Sequence, residues 1–312
     1  MTEGEAQKQP KNANDPKFER WILGDAWDGF WRNFPVVVLA VLAMGLVGVV
    51  SLNDQVNQAK MVHTVSVNGF YLKVESSKDA VSFFAGFGYI FVSSILVYTM
   101  HSTLLDKRTC WAAFNKEQRN KVTTFLKRVS VMVLTYLVIS WILQQVFWQI
   151  AVENGAGAEN SFGAIIFALV SVPSLLALSI FGFLIISWPG SVFLNGDQSL
   201  KRAIARGKKT FWFVIGKSLM VIPALLPLQF IMMAVLLPMM NSLFLDGSGV
   251  PKTEFEGFSF GALVPFSLLS SIYFAVAFCI AGVIVSRALL VGEARLGSTK
   301  VTSETTENLA VK

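Results

Sequence analysis

The chain has 312 residues, of which 54% are hydrophobic and 15% are charged. Soluble globular domains hold about 45–50% apolar and about 25% charged residues. The composition therefore excludes a disordered chain, a nucleic-acid-binding tail protein and an ordinary soluble enzyme, and it points to a polytopic membrane protein. The formal net charge is +6, but its distribution along the chain carries more information than its sum.

Residues 1–14 are polar and read as a disordered tail. They lack the short apolar core and cleavage site of a removable signal peptide, so the first hydrophobic helix is expected to act as the targeting signal. Asp15 suits an N-cap and Pro16 the first helical position. Leu23, Ala26, Trp27, Phe30, Trp31 and Phe34 then recur at helical spacing, with Asp25, Asp28 and Arg32 between them. This predicts a helix in the membrane interface, where tryptophan concentrates, or a plain helical lead-in to the first span.

A spanning helix needs about 20 mostly apolar residues. Six stretches qualify: 35–52, 81–105, 129–150, 161–188, 211–245 and 260–291. The last two are long enough to tilt, bend or project from the hydrocarbon. Between the first two spans, Val65–Val74 carries Asn68-Gly69 flanked by β-branched and aromatic residues. That is the signature of a small β-hairpin on the outer side. The linker Glu153–Glu159 is short and Gly/Ala-rich. The segment Ser199–Phe211 places Leu200, Ala203, Ile204, Gly207 and Phe211 on one face, and Lys201, Arg202, Arg206, Lys208 and Lys209 on the other. It predicts a basic amphipathic helix at the membrane surface, suited to anionic lipid, although any cytoplasmic loop is expected to be basic. Residues 297–312, rich in Ser, Thr and Glu, read as a disordered tail.

Taken by segment, 22 Lys and Arg lie in the N-terminal segment, the second and fourth loops and the C-terminal segment, against four in the other loops. The positive-inside rule then places both termini in the cytoplasm. The expected fold is an all-α integral membrane bundle of six transmembrane helices within 15–296, with cytoplasmic interfacial helices before spans one and five.

Charges inside the membrane are the usual pointers to function, and here they are scarce. Lys217 and Arg287 lie near the ends of spans five and six, within snorkelling reach of the interface. No Asp or Glu lies mid-span. Gln144, Gln145 and Gln149 in span three line a path or, more commonly, hydrogen-bond between helices. Pro173, Pro223, Pro227, Pro238 and Pro265 are candidate kinks. Ser267, Ser271, Ala275, Cys279 and Gly282 form a stripe of small residues, a signal for close helix packing. Cys110 and Cys279 belong at different depths, so no disulfide is expected. His63 and His101 fall on opposite sides of the bilayer and build no metal site. No nucleophile elbow, zinc-protease motif or phosphate-binding loop occurs. No cofactor is expected, and no nucleic-acid partner.

Two lead-in segments carry a resemblance. They are Leu23-Gly24-Asp25-Ala26-Trp27 with Phe30-Trp31-Arg32-Asn33-Phe34, and Ser199-Leu200-Lys201-Arg202-Ala203 with Gly207-Lys208-Lys209-Thr210-Phe211-Trp212. Their pattern resembles the six-helix membrane domain attached to some bacterial glycerophosphoryl diester phosphodiesterases, and that domain's stand-alone relatives. The family's catalytic barrel is absent from this sequence. The resemblance therefore implies an inner-membrane helical bundle concerned with lipid or envelope processes, and not the phosphodiesterase activity. The expected function is non-enzymatic: a lipid- or partner-binding subunit or scaffold of a membrane complex. Lys201, Arg202, Arg206, Lys208 and Lys209 are its contact residues. Anionic lipids, a membrane-protein partner or a second copy of the chain are its expected partners. The alternative is a transporter or channel for a neutral or apolar solute.

Overall fold

Hydrocarbon offers no partner to a backbone N–H or C=O, so a chain this apolar must satisfy both within its own helices. The computed structural model describes residues 22–62, 80–153, 161–194, 197–244 and 260–310. They form helices α1 (Ile22–Arg32), α2 (Phe34–Val62), α3 (Ala80–His101), α4 (Arg119–Glu153), α5 (Ser161–Ile185), α6 (Leu200–Phe244) and α7 (Phe260–Ala310), joined in places by short π and 3-10 turns. No strand occurs among the described residues. Six stretches are long and apolar enough to cross a membrane: Phe34–Leu52, Ala85–Asp106, Lys116–Leu143, Val172–Phe193, Leu200–Val235 and Leu263–Gly297. This is the architecture of a multi-pass membrane protein. The proposed hairpin at Val65–Val74, the N-terminal tail with Asp15 and Pro16, His63 and most of the linker after span three lie outside the described residues.

One expectation changes. The segment before span five is not a separate surface helix, because Leu200–Phe244 is a single helix of 45 residues. No proline interrupts it before Pro223, and at 1.5 Å per residue it extends about 68 Å, against about 30 Å of hydrocarbon. The last helix, α7, extends to Ala310. Neither glycine nor proline follows Gly297 to stop it. Pro173 and Pro265 sit inside α5 and α7, and Pro223, Pro227 and Pro238 inside α6, without ending any of them.

The chain divides into two compact units, with the division falling within α6 and α7. In the unit holding 22–113 and 217–283, the core is Val37, Ala40 and Met44 of α2, Leu96 and Met100 of α3, and Ala275 and Cys279 of α7. The steps of three and four residues put each set on one helix face. The small-residue stripe packs inside this unit. Ser267 Oγ donates to the Gly45 carbonyl at 2.7 Å, and Ser271 Oγ donates to the Ser267 carbonyl at 2.7 Å. At Gly282 a Cβ would lie 2.9 Å from Met100 Cβ, so only glycine lets α7 come this close to α3.

The other unit, 114–216 and 284–310, contains α4, α5 with its 3-10 extension Pro189–Phe193, the start of α6 and the end of α7. Here a Cβ on Gly207 would run into the Leu184 carbonyl. Residues of α4 and α6 with large apolar side chains, among them Leu134, Trp141, Trp212, Phe230 and Ile231, are exposed. Lipid acyl chains are as apolar as leucine and suit such faces.

Gly207→Ala is expected to destabilise the chain by about 1–3 kcal/mol through overpacking against backbone. Gly216→Ala, on the same helix, adds a Cβ that meets nothing within 4 Å. It should leave stability unchanged or raise it slightly. Thermal unfolding of the two variants in one detergent checks the contrast.

Candidate functional site

The start of α6 is set by its cap. Ser199 accepts the Arg202 N–H on its Oγ at 3.2 Å and the Ala203 N–H on its carbonyl at 3.0 Å. Its own N–H donates to Asp197 Oδ1 at 2.8 Å. That bond holds the Asp197 carboxyl below its ordinary range. Hydroxyl caps of this kind satisfy helix N–H groups that have no partner within the helix.

From this cap, Ala203, Arg206, Gly207 and Thr210 fall on one face, and all four are buried. The buried face is therefore rotated from the predicted one. Leu200 is exposed, while Arg206, assigned to the polar face, is 0% exposed. The reason is Glu293 on α7. Arg206 Nη1 donates to Glu293 Oε1 at 2.6 Å. Arg202 donates to the same carboxylate through Nε at 3.3 Å to Oε1 and Nη2 at 2.6 Å to Oε2. Two guanidinium groups one helical turn apart thus grip one carboxylate. Arg295 Nη1 donates to the Lys209 carbonyl at 2.6 Å, a further tie between α6 and α7. Arg206 Nε and Nη2 have no partner among the described residues.

A third guanidinium comes from α4. Arg128 Nη1 donates to Ser191 Oγ at 2.7 Å and to the Trp188 carbonyl at 3.2 Å, and its Nη2 donates to Gln198 Oε1 at 3.1 Å. It also lies over the Trp188 ring, 5.6 Å from the centroid, a favourable cation–π position. Trp188 is itself held by an Nε1–H bond to the Gln198 carbonyl at 3.2 Å. Arg128 lies near enough to Arg206 for the two like charges to act on each other. Arg202 and Arg206 thus face two carboxylates, Glu293 and the solvent-exposed Asp197.

The other unit holds a second polar knot. Asn33 separates α1 from α2 and is fully buried. Its Nδ2 donates to the Gly29 carbonyl at 2.7 Å and to Thr103 Oγ1 at 2.8 Å, and its Oδ1 accepts the Cys110 N–H at 2.5 Å. Thr103 lies in the π turn after α3, and Lys107 and Cys110 take left-handed φ of 55° and 52°. Such a turn is uncommon for non-glycine residues. Here the side-chain bonds of Asn33 help to fix it.

Of the other predicted site residues, Lys201, Lys208 and Lys209 are exposed on α6. Gln145 is exposed on α4, and the side chains of Gln144 and Gln149 lie outside the described set. Pro173, Pro223, Pro227 and Pro265 are exposed too. Ser267, Ser271, Ala275, Cys279 and Gly282 come together in the helix-packing stripe. Arg128, Glu293 and Asn33 are the residues that sequence reasoning missed. Glu293 had one available signal: it is the only carboxylate between Glu256 and Glu304. Among the described residues no group of three or more His, Cys, Asp or Glu is placed to hold a metal ion.

Replacing Glu293 by Gln leaves the buried Arg206 charge without its anion, and a loss of about 3 kcal/mol is expected, at the lower end for a broken buried pair because Glu293 is part-exposed. Arg202→Gln removes a more exposed partner and should lose about 1 kcal/mol or less. Thermal unfolding of the two variants ranks them.

The chain matches no protein-family model, and searches of curated proteins and of solved structures find no match either.

Proposed function

We propose that this chain is a non-enzymatic multi-pass protein of the bacterial inner membrane, with both termini in the cytoplasm, and that it acts as a lipid-binding subunit or scaffold of a membrane complex. The observation that carries this reading is the start of α6. Lys201, Lys208 and Lys209 are exposed there, on a helix whose buried side is tied to α7 through Arg206 and Glu293. A helix fixed in this way presents its lysines at a constant depth. Each basic residue near an anionic leaflet contributes about 1 kcal/mol of attraction.

Orientation rests on the charge asymmetry of the segments. Trp27 and Trp31 are exposed on α1, with their rings 5.5 Å apart and edge to face. They suit a headgroup-level anchor on the same side. The transporter reading rests on the polar side chains of α4, of which Gln145 is exposed.

Two measurements check the reading. In native mass spectrometry from mixed-lipid nanodiscs, the wild-type chain is expected to retain acidic phospholipid over phosphatidylcholine. The triple substitution Lys201→Gln, Lys208→Gln and Lys209→Gln should cut that preference by about tenfold or more, since three charges are removed. An unchanged lipid profile in that variant counts against the proposal. For orientation, the part-exposed Cys110 should react with a membrane-impermeant maleimide in inverted vesicles and not in right-side-out ones. The opposite pattern would reverse the topology.

A further inference from the structure

The three arginines of the α4–α6–α7 cluster do not use their donors alike. Arg202 presents its Nε–Nη2 edge to Glu293. This is the side-on edge of the guanidinium, whose two parallel N–H bonds match two oxygens of one anion. Arg206 spends only Nη1 on Glu293. Its own Nε–Nη2 edge is buried and has no partner among the described residues. Ser187, three residues beyond the Leu184 that meets Gly207, is a second buried group of this unit whose Oγ has none there. Buried charged donors are ordinarily satisfied.

The electrostatics point the same way. Glu293 pairs with Arg202 and Arg206. Arg128 and Arg206 feel each other's charge. Like charges near one another favour an added anion close to both. Asp197, the remaining carboxylate nearby, is fully exposed and bonded to Ser199.

We propose that the buried, unpartnered Nε–Nη2 edge of Arg206, in the same cluster as Arg128, is a binding site for a phosphate oxyanion. A phosphate group supplies the paired oxygens that the edge requires and enough charge for both arginines. The source is either the headgroup of an acidic phospholipid or free inorganic phosphate. The lipid case rests on the function proposed above, and the free-phosphate case does not. The edge carries no exposed surface, so occupancy displaces a neighbouring side chain.

The test uses the full chain in nanodiscs, in two arms. In the first, phosphatidylcholine nanodiscs are titrated with radiolabelled inorganic phosphate. In the second, nanodiscs doped with phosphatidic acid, in phosphate-free buffer, are examined by native mass spectrometry for lipid that stays bound to the released chain. One phosphate-bearing species per chain is expected in one arm. Arg206→Lys keeps the charge and removes the edge, and Arg128→Gln removes the second cation without touching Glu293. Each should weaken retention by about tenfold, the scale of one lost charge-assisted bond. Absence of any retained phosphate species in both arms, or wild-type retention by Arg206→Lys, overturns the site. Should Arg206→Lys fail to fold, wild-type retention by Arg128→Gln overturns it equally. The outcomes separate the two proposals. Loss of general acidic-lipid preference only in the lysine variant keeps the functional reading and removes the site. Binding of inorganic phosphate alone keeps the site and removes its lipid role.

Discussion

A bilayer interior accepts neither an unpaired backbone amide nor an unpaired charge. The apolar stretches become long helices because a helix alone satisfies each N–H and C=O within the segment. The helices then approach one another only where side chains are small enough, since no hydrophobic gain drives one apolar helix against another in lipid. Ser267, Ser271, Ala275, Cys279 and Gly282 meet that condition on α7, and the facing backbone at Gly45 receives a hydroxyl bond there. Charged side chains are displaced to the ends of the apolar stretches, where Arg202, Arg206 and Glu293 meet. The clamp on Glu293 is thus the polar counterpart of the small-residue stripe. Both hold α7 against a neighbour, one by close approach and the other by charge.

The use of arginine in the clamp has a physical reason. A carboxylate shared between two cations needs donors in fixed directions, and the planar guanidinium supplies them. Lysine offers one flexible point charge. The exposed basic residues of α6 facing away from the clamp are lysines, at Lys201, Lys208 and Lys209, where diffuse attraction is enough. One helix therefore sorts its two kinds of cation by the geometry each position demands.

Much of this was legible in the sequence. The number and order of the spans follow from hydropathy length, and the small stripe follows from its four-residue period. Both are local signals. The cluster was not legible, because its members come from separate parts of the chain: Arg206 and Glu293 are 87 residues apart, and Arg128 and Ser191 are 63 apart. Reading Arg206 as surface followed from its residue type, since arginine is rarely fully buried unless paired. Its neighbours Ala203, Gly207 and Thr210 had the right spacing to reveal the buried face, but the partner that makes burial tolerable lay on another helix. The continuity of α6 was missed because an amphipathic start and an apolar continuation look like two elements in sequence. Only the absence of a breaker between them says otherwise.

Asn33 carries a consequence for biogenesis. Its side chain joins residues 70 and 77 positions further along, at Thr103 and Cys110. Ribosomes add about 5–20 residues per second, so a newly made Asn33 waits about 4–15 s before its partners exist. During that interval the carboxamide has only its local acceptor, the Gly29 carbonyl, and the junction of α1 with α2 is free to change its angle. The first helix pair therefore acquires its final geometry only after the second span and the turn behind it have been synthesised. Helices α1 to α3 mature as a set, however early the first of them enters the membrane.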